Sequence, residues 1–251
     1  MNIMKKVEKI KINIVAAINK KDYTNALELI SLAGNILYNY NQYYSDENLE
    51  ENIKVISEGI LGKSELDNLN EDTVIFYDGF GLDTRGLAQI YLLALCNFKK
   101  VIYVTNEKRR NSLPTIKKIL KNGNHISYFL PELSKIDKIG ELKKIIDQVK
   151  PKSIFMYTYP SDVIITTILH HYTNIIDRYQ VNLTDHAFWL GNTCIDYCIE
   201  FRDYGAYISN KYRNIPKEKI ILLPYYPIVN KEFDFEGYPF VIHNQNAKII
   251  F

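Results

Sequence analysis

Between Val7 and Ile60 the apolar residues fall three and four positions apart: Val7, Ile10, Ile14 and Ala17, then Ala26, Leu27, Ile30 and Leu37, then Ile53, Ile56 and Ile60. That spacing lines up one face of each of three helices. The joins fall near residues 20–24 and in the polar stretch 41–51, and Gly59 with Gly62 suits a helix ending. No fixed repeat period runs through them, so a helical cap over residues 1–70 is expected rather than a solenoid.

After Asp72 the pattern changes. Residues 73–77 (TVIFY), 101–105 (VIYVT), 125–130, 153–157 and 179–183 are short apolar runs, each followed by a stretch with helical spacing at 87–95, 115–120, 140–149, 162–171 and 193–201. Short strands at 207–209 and 220–223 close the series. Strands alternating with helices predict βαβ units and a parallel sheet. Because the strands are apolar at nearly every position, both faces of that sheet should be buried under helices. The expected fold is α/β: a doubly wound, Rossmann-like domain over residues 71–251, preceded by the small helical region. Residues 238–246 read as a loop and 247–251 (AKIIF) as the start of a strand whose helix does not follow, so a further C-terminal domain is expected.

Composition narrows the function more than the fold. A chain of 251 residues that is 47% hydrophobic can bury a sizeable core, which excludes disorder as the default. Lys+Arg 31 against Asp+Glu 29 leaves a net charge of +2, so no global field recruits nucleic acid. The apolar run 14–18 is too short for a signal-peptide core, and no stretch approaches the ~20 apolar residues of a membrane span. Cys96, Cys194 and Cys198 fit neither an even disulfide framework nor a zinc-ligand spacing, so a reducing cytoplasm is expected.

Ligands of open parallel sheets bind beyond the carboxyl ends of the strands. After the first strand come Asp78, Gly79, Phe80, Gly81, Leu82, Asp83, Thr84, Arg85 and Gly86. The third glycine stands two positions late for the dinucleotide fingerprint, and no G-K-[ST] follows. The turn can still offer backbone N–H groups and Arg85 to an anion at a helix start; otherwise it is a tight strand-to-helix turn. After the fifth strand come Asp185, His186, Trp189 and Gly191. A histidine near neutral pH can take a proton from an attacking hydroxyl or amide, with Asp185 orienting it. The competing reading has His186 capping a helix or bonding a carbonyl; for Trp189, filling the core is the reading its residue type favours. Lys108, Arg109 and Arg110 form a basic run that is a solvated loop or a contact to phosphate or a membrane surface, which makes peripheral membrane contact one expectation. Cys194 and Cys198, four apart on the expected helix, read as packing, and Asp78 and Asp83 make no obvious metal pair; no metal is expected. Pro224, Tyr225, Tyr226 and Pro227 form a stiff aromatic exit that can wall a cleft.

The stretch 184–191 (TDHAFWLG), then 196–205 (DYCIEFRDYG) and 222–227 (LLPYYP), resembles the N-terminal half of bacterial GT-B glycosyltransferases. It looks distantly related to the protein O-GlcNAc transferase and cytoplasmic N-glucosyltransferase type. The resemblance covers roughly residues 72–251 and implies metal-independent transfer of a sugar from a nucleotide-diphosphate donor to a protein or glycan acceptor. By that resemblance His186, with Asp185, is the base at the cleft. Gly79, Gly81, Arg85, Trp189 and Tyr225 then line the cleft, and a C-terminal domain absent from this chain holds the donor. A chain without that domain is expected to bind no cofactor and to be inactive alone. Two other classes compete: a non-catalytic interaction or scaffold module of a glycosylation complex, and a nucleotide or methyl-donor enzyme, whose glycine spacing is missing.

Overall fold

The computed structural model describes residues 3–40, 43–64, 66–83 and 86–224. Three helices open the chain, α1 (Ile3–Asn19), α2 (Tyr23–Tyr40) and α3 (Glu47–Leu61). The third starts at Asp46, whose carboxylate accepts the N–H of Leu49 and so satisfies an orphan donor of the first turn. Strand and helix then alternate: β1 (Asn70–Asp78), α4 (Gly86–Leu95), β2 (Lys100–Asn106), α5 (Pro114–Leu120), β3 (Ile126–Leu130), α6 (Lys135–Val149), β4 (Pro151–Tyr157), α7 (Val163–His171) and β5 (Asp177–Val181). The series closes with β6 (Tyr197–Glu200), α8 (Asp203–Tyr212) and β7 (Ile220–Leu222).

The seven strands form one sheet in the order β3-β2-β1-β4-β5-β6-β7, every pair parallel. This is the doubly wound, Rossmann-like α/β fold expected from the apolar runs. Winding outward from β1 in two directions sends the crossover helices to opposite faces. Alternation along β1 shows the result: Val74 and Phe76 join an apolar layer with α4 and α5, while Ile75 and Tyr77 join a second layer with α6 and α7. Helices α1 to α3 contribute to that second layer through Val7, Ile14, Leu27, Ile30, Ile53 and Ile56. Polar clasps reinforce the contact: Ser57 donates to the Thr167 carbonyl at 2.8 Å and Ser31 to the Ser161 carbonyl at 3.1 Å. Among the described residues no helix is long and apolar enough to cross a membrane.

Two sequence expectations are corrected. The helix over 193–201 is instead a loop followed by β6, which places Cys194 and Cys198 off any helix. Cys194, Cys198 and Ile199 imitate a helical stripe, but Cys198 and Ile199 are adjacent strand residues facing opposite apolar layers. The short strand expected at 207–209 lies inside α8, where Gly205, Ile208 and Ser209 form the buried side. Residues 225–251, which include Tyr225 and the expected strand 247–251, lie outside the described residues, as do Thr84 and Arg85.

Glu50 couples the first three helices to the far end of the sheet. Its buried carboxylate accepts the N–H of Gly191 at 2.7 Å and the hydroxyl of Thr193 at 2.9 Å. Burial pushes this carboxyl up from its ordinary 4.5 to about 7, and the bonds from Gly191 and Thr193 only partly offset that. The unfolded chain ionises Glu50 near 4.5, so the native state holds the extra proton between the two values. Stability present below about pH 4.5 is therefore lost as pH rises through about 7, by on the order of 3 kcal/mol. Glu50→Gln is expected to flatten that part of a stability-versus-pH curve measured by urea unfolding; an unchanged slope contradicts the assignment.

Candidate functional site at the carboxyl edge of the sheet

The turn after β1 is folded by its own carboxylates. Asp78, fully buried, accepts the N–H of Phe80 at 3.0 Å and of Gly81 at 2.8 Å, and the hydroxyl of Tyr103 at 2.6 Å. Asp83 accepts the N–H groups of Thr115 and Ile116, each at 3.0 Å, at the start of α5. Both carboxylates are thus occupied, Asp78 by the backbone of the turn and Tyr103, Asp83 by the start of α5. Gly79 lies so close to β4 that an added Cβ would stand 1.8 Å from Thr158 Oγ1, and Gly81 takes a φ of +56°. Gly79→Ala is expected to cost roughly 1–3 kcal/mol through that overlap; a melting temperature equal to wild type would show that the turn relaxes freely.

Beneath this turn Asp162 is fully buried between β1 and β4. It accepts hydroxyls from Tyr77 at 3.0 Å and Thr158 at 2.5 Å, and the N–H of Ile164 at 2.9 Å at the start of α7. Burial raises its carboxyl above the usual range, although all three bonds oppose the rise.

The loop after β5 is held from several sides. Asn182 Oδ1 accepts the N–H of Thr184 at 2.8 Å, and its amide donates to Glu200 at 2.8 Å. Arg213, only 1% exposed, donates to the carbonyls of Thr184 at 2.8 Å and Ala187 at 2.7 Å, and its guanidinium lies 5.1 Å from the Trp189 ring centre. The N–H of Leu190 donates to the Pro160 carbonyl at 2.8 Å, tying the loop to the one after β4. Gly191, with a φ of +108°, then turns the chain toward Glu50.

Within this frame Asp185 is fully buried, while the His186 side chain is 58% exposed. His186 Nδ1 stands 3.4 Å from Asp185 Oδ1. That is longer than an ordinary hydrogen bond. Arg202 completes the group: Nη2 reaches Asp185 Oδ1 at 2.8 Å and Nε bonds the other oxygen. Burial alone would raise the Asp185 carboxyl. The hydrogen bond and charge of Arg202, then those of His186, reverse that and hold it below the usual carboxylate range. Among the described residues His186 Nε2 has no partner.

Asp185 and His186 are thus brought together after β5, and Gly79 with Gly81 stands at the end of β1 on the same edge. Arg85 and Tyr225 lie outside the described residues. Trp189 is corrected: at 2% exposure its ring fills the interior beneath Arg213 and lines no open cleft. The basic run is partly spent. Lys108 pairs with Glu132 at 2.8 Å, and Arg110 pairs with Glu107 at 2.6 Å and covers the Phe129 ring. Sequence reasoning missed Arg213, Glu200 and Glu50. Arg213 is one of two cations in KYRNIP and Glu50 one of four acids in the run DENLEEN, and neither has a spacing that separates it from surface charges.

No protein-family model matches the chain, and no curated protein matches it in sequence. Among solved structures it is similar to the K341M mutant of the Thermobaculum terrenum O-GlcNAc transferase, at 10% identity and a TM-score of 0.45. The match covers 85% of this chain, and the chain spans 42% of that one.

The arrangement has a definite chemical capacity. A buried, ionised Asp185 beside Nδ1 favours the tautomer with its proton on that nitrogen, which leaves the lone pair on Nε2. A hollow of about 500 Å³ between α8 and β7 holds neither His186 nor the glycine turn, so size alone does not locate the chemistry.

Proposed function

We propose that this chain is the acceptor-side half of a glycosyltransferase, moving a sugar from a nucleotide-diphosphate donor to a protein or glycan acceptor. The observation that carries the reading is His186, exposed at the carboxyl edge of a parallel sheet and backed by the buried carboxylate of Asp185. The TDHAFWLG resemblance supports the same assignment. In the reaction, Nε2 accepts the proton of an acceptor hydroxyl or amide as that atom bonds the anomeric carbon. The bond from that carbon to the diphosphate breaks, and the nucleoside diphosphate leaves with the electron pair.

The turn at Gly79 and Gly81, with Arg85, and the exit at Tyr225 border the acceptor in this proposal. A further domain holds the donor, and its closure supplies orientation and excludes water. The proposed compartment is the cytoplasm, in keeping with three free cysteines, two of them buried. The test is donor consumption by the full-length protein: labelled nucleotide-diphosphate hexoses and hexosamines, each offered with a cell-extract acceptor pool. Transfer or slow hydrolysis of at least one donor is expected. If every donor remains intact, the reading fails.

A further inference from the structure

The strand order reverses between β1 and β4, the place where an open parallel sheet opens a crevice. A cavity of about 220 Å³ lies there, reached by loops from four strands. Phe80 follows β1, Lys108 and Arg109 follow β2, Glu132 follows β3 and Tyr159 follows β4, while Lys138 enters from α6. Three cations therefore face one carboxylate in the lining and the buried Asp162 carboxylate behind Tyr77, which leaves positive charge in excess. Glu132 is shared: Lys108 approaches it at 2.8 Å and Lys138 at 3.9 Å. Lys138 is mostly buried and is steered inward by Asn106 Oδ1 at 3.2 Å. Arg109 has no carboxylate within ion-pair distance among the described residues, and its side chain packs against Gly81, where any Cβ would strike its Cγ at 2.5 Å.

Unbalanced positive charge in a partly desolvated hollow attracts a compact oxyanion, and a free guanidinium can clasp one with two hydrogen bonds. The aromatic wall adds a second requirement. Phe80 and Tyr159 meet edge to face with centroids 6.5 Å apart, giving an apolar surface beside the charges. The volume is below the ~300–1,000 Å³ of drug-sized pockets and suits one ring-sized group.

We infer that this cavity binds a single sugar-sized ring carrying a phosphate or carboxylate. The oxyanion lies on Arg109 and Lys138, and the ring lies against Phe80 and Tyr159. Resting on the glycosyl-transfer reading, this names the ligand class as an anionic sugar. The binding itself is independent of whether transfer occurs, so the two can fail separately.

The test is titration calorimetry on the full chain, with glucose 6-phosphate, inorganic phosphate and glucose as probes. Glucose 6-phosphate is expected to bind at least tenfold more tightly than either of the others. Arg109→Gln and Lys138→Gln should each weaken it by about tenfold or more, and rising salt should weaken it as well. Glu132→Gln removes the competing carboxylate and should tighten binding severalfold, a gain that damaged folding could not imitate. Equal binding of inorganic phosphate and glucose 6-phosphate would overturn the assignment of a sugar ring to the site. Absence of binding, or variants indistinguishable from wild type, would overturn the site. Tight binding by a protein that consumes no sugar donor would leave the site standing and sink the transferase reading.

Discussion

Replacing His186 with alanine is expected to lower turnover by about 10²–10⁴-fold, the range a positioned general base supplies. The side chain is 58% exposed and Nε2 has no partner among the described residues, so its loss should move stability by no more than about 0.5 kcal/mol. If His186 acts only as the transition state forms, kcat and kcat/KM should fall together with KM little changed. A rise in KM with turnover intact would make it an acceptor contact instead. Initial-rate kinetics on labelled sugar transfer, with a thermal melt of the same sample, separate these outcomes.

Arg213→Met is expected to have the largest effect on stability. The guanidinium donates to the Thr184 and Ala187 carbonyls and to Ser209, and it compensates the buried carboxylate of Glu200. Burial raises the Glu200 carboxyl, an effect that bonds from Ser209 and Asn182 and then the Arg213 charge hold in check. Methionine matches much of the volume but strands the carbonyls and leaves the carboxylate unbalanced. Removing one partner of such a buried set costs about 3–5 kcal/mol. For a domain of this size that lowers the melting temperature by roughly 6–20 °C. Arg213→Lys keeps the charge without the planar fork and should fall between. A melting temperature within about 1 °C of wild type for Arg213→Met would show that the loop after β5 is held by other contacts.

The sheet was legible because its strands are buried on both faces, so runs such as TVIFY and VIYVT stand out without any partner. Legibility failed where strand and helix patterns coincide. Cys194 and Cys198 are four apart as a helix would place them, yet Cys194 is buried in the loop before β6 and Cys198 in the strand itself, so the spacing arises by accident. The loop that carries His186 could be placed at a strand end because the strand before it was readable. Its supports could not. Arg213 acts 27 residues downstream and Glu50 acts from an amphipathic helix, so their roles arise only when the fold brings them to the loop. Trp189 was legible from its residue type: its size favours the interior, where it lies, although the resemblance put it at the cleft.

Long-range nitrogen-proton correlation spectra of the ¹⁵N-histidine-labelled protein read which His186 nitrogen carries the proton in the neutral ring. With the Asp185 carboxylate 3.4 Å from Nδ1, the spectrum should show Nδ1 protonated and Nε2 bare, and Asp185→Asn should shift the tautomer balance. A wild-type ring protonated on Nε2 would leave the edge of the sheet without an open proton acceptor and would contradict the role given to His186.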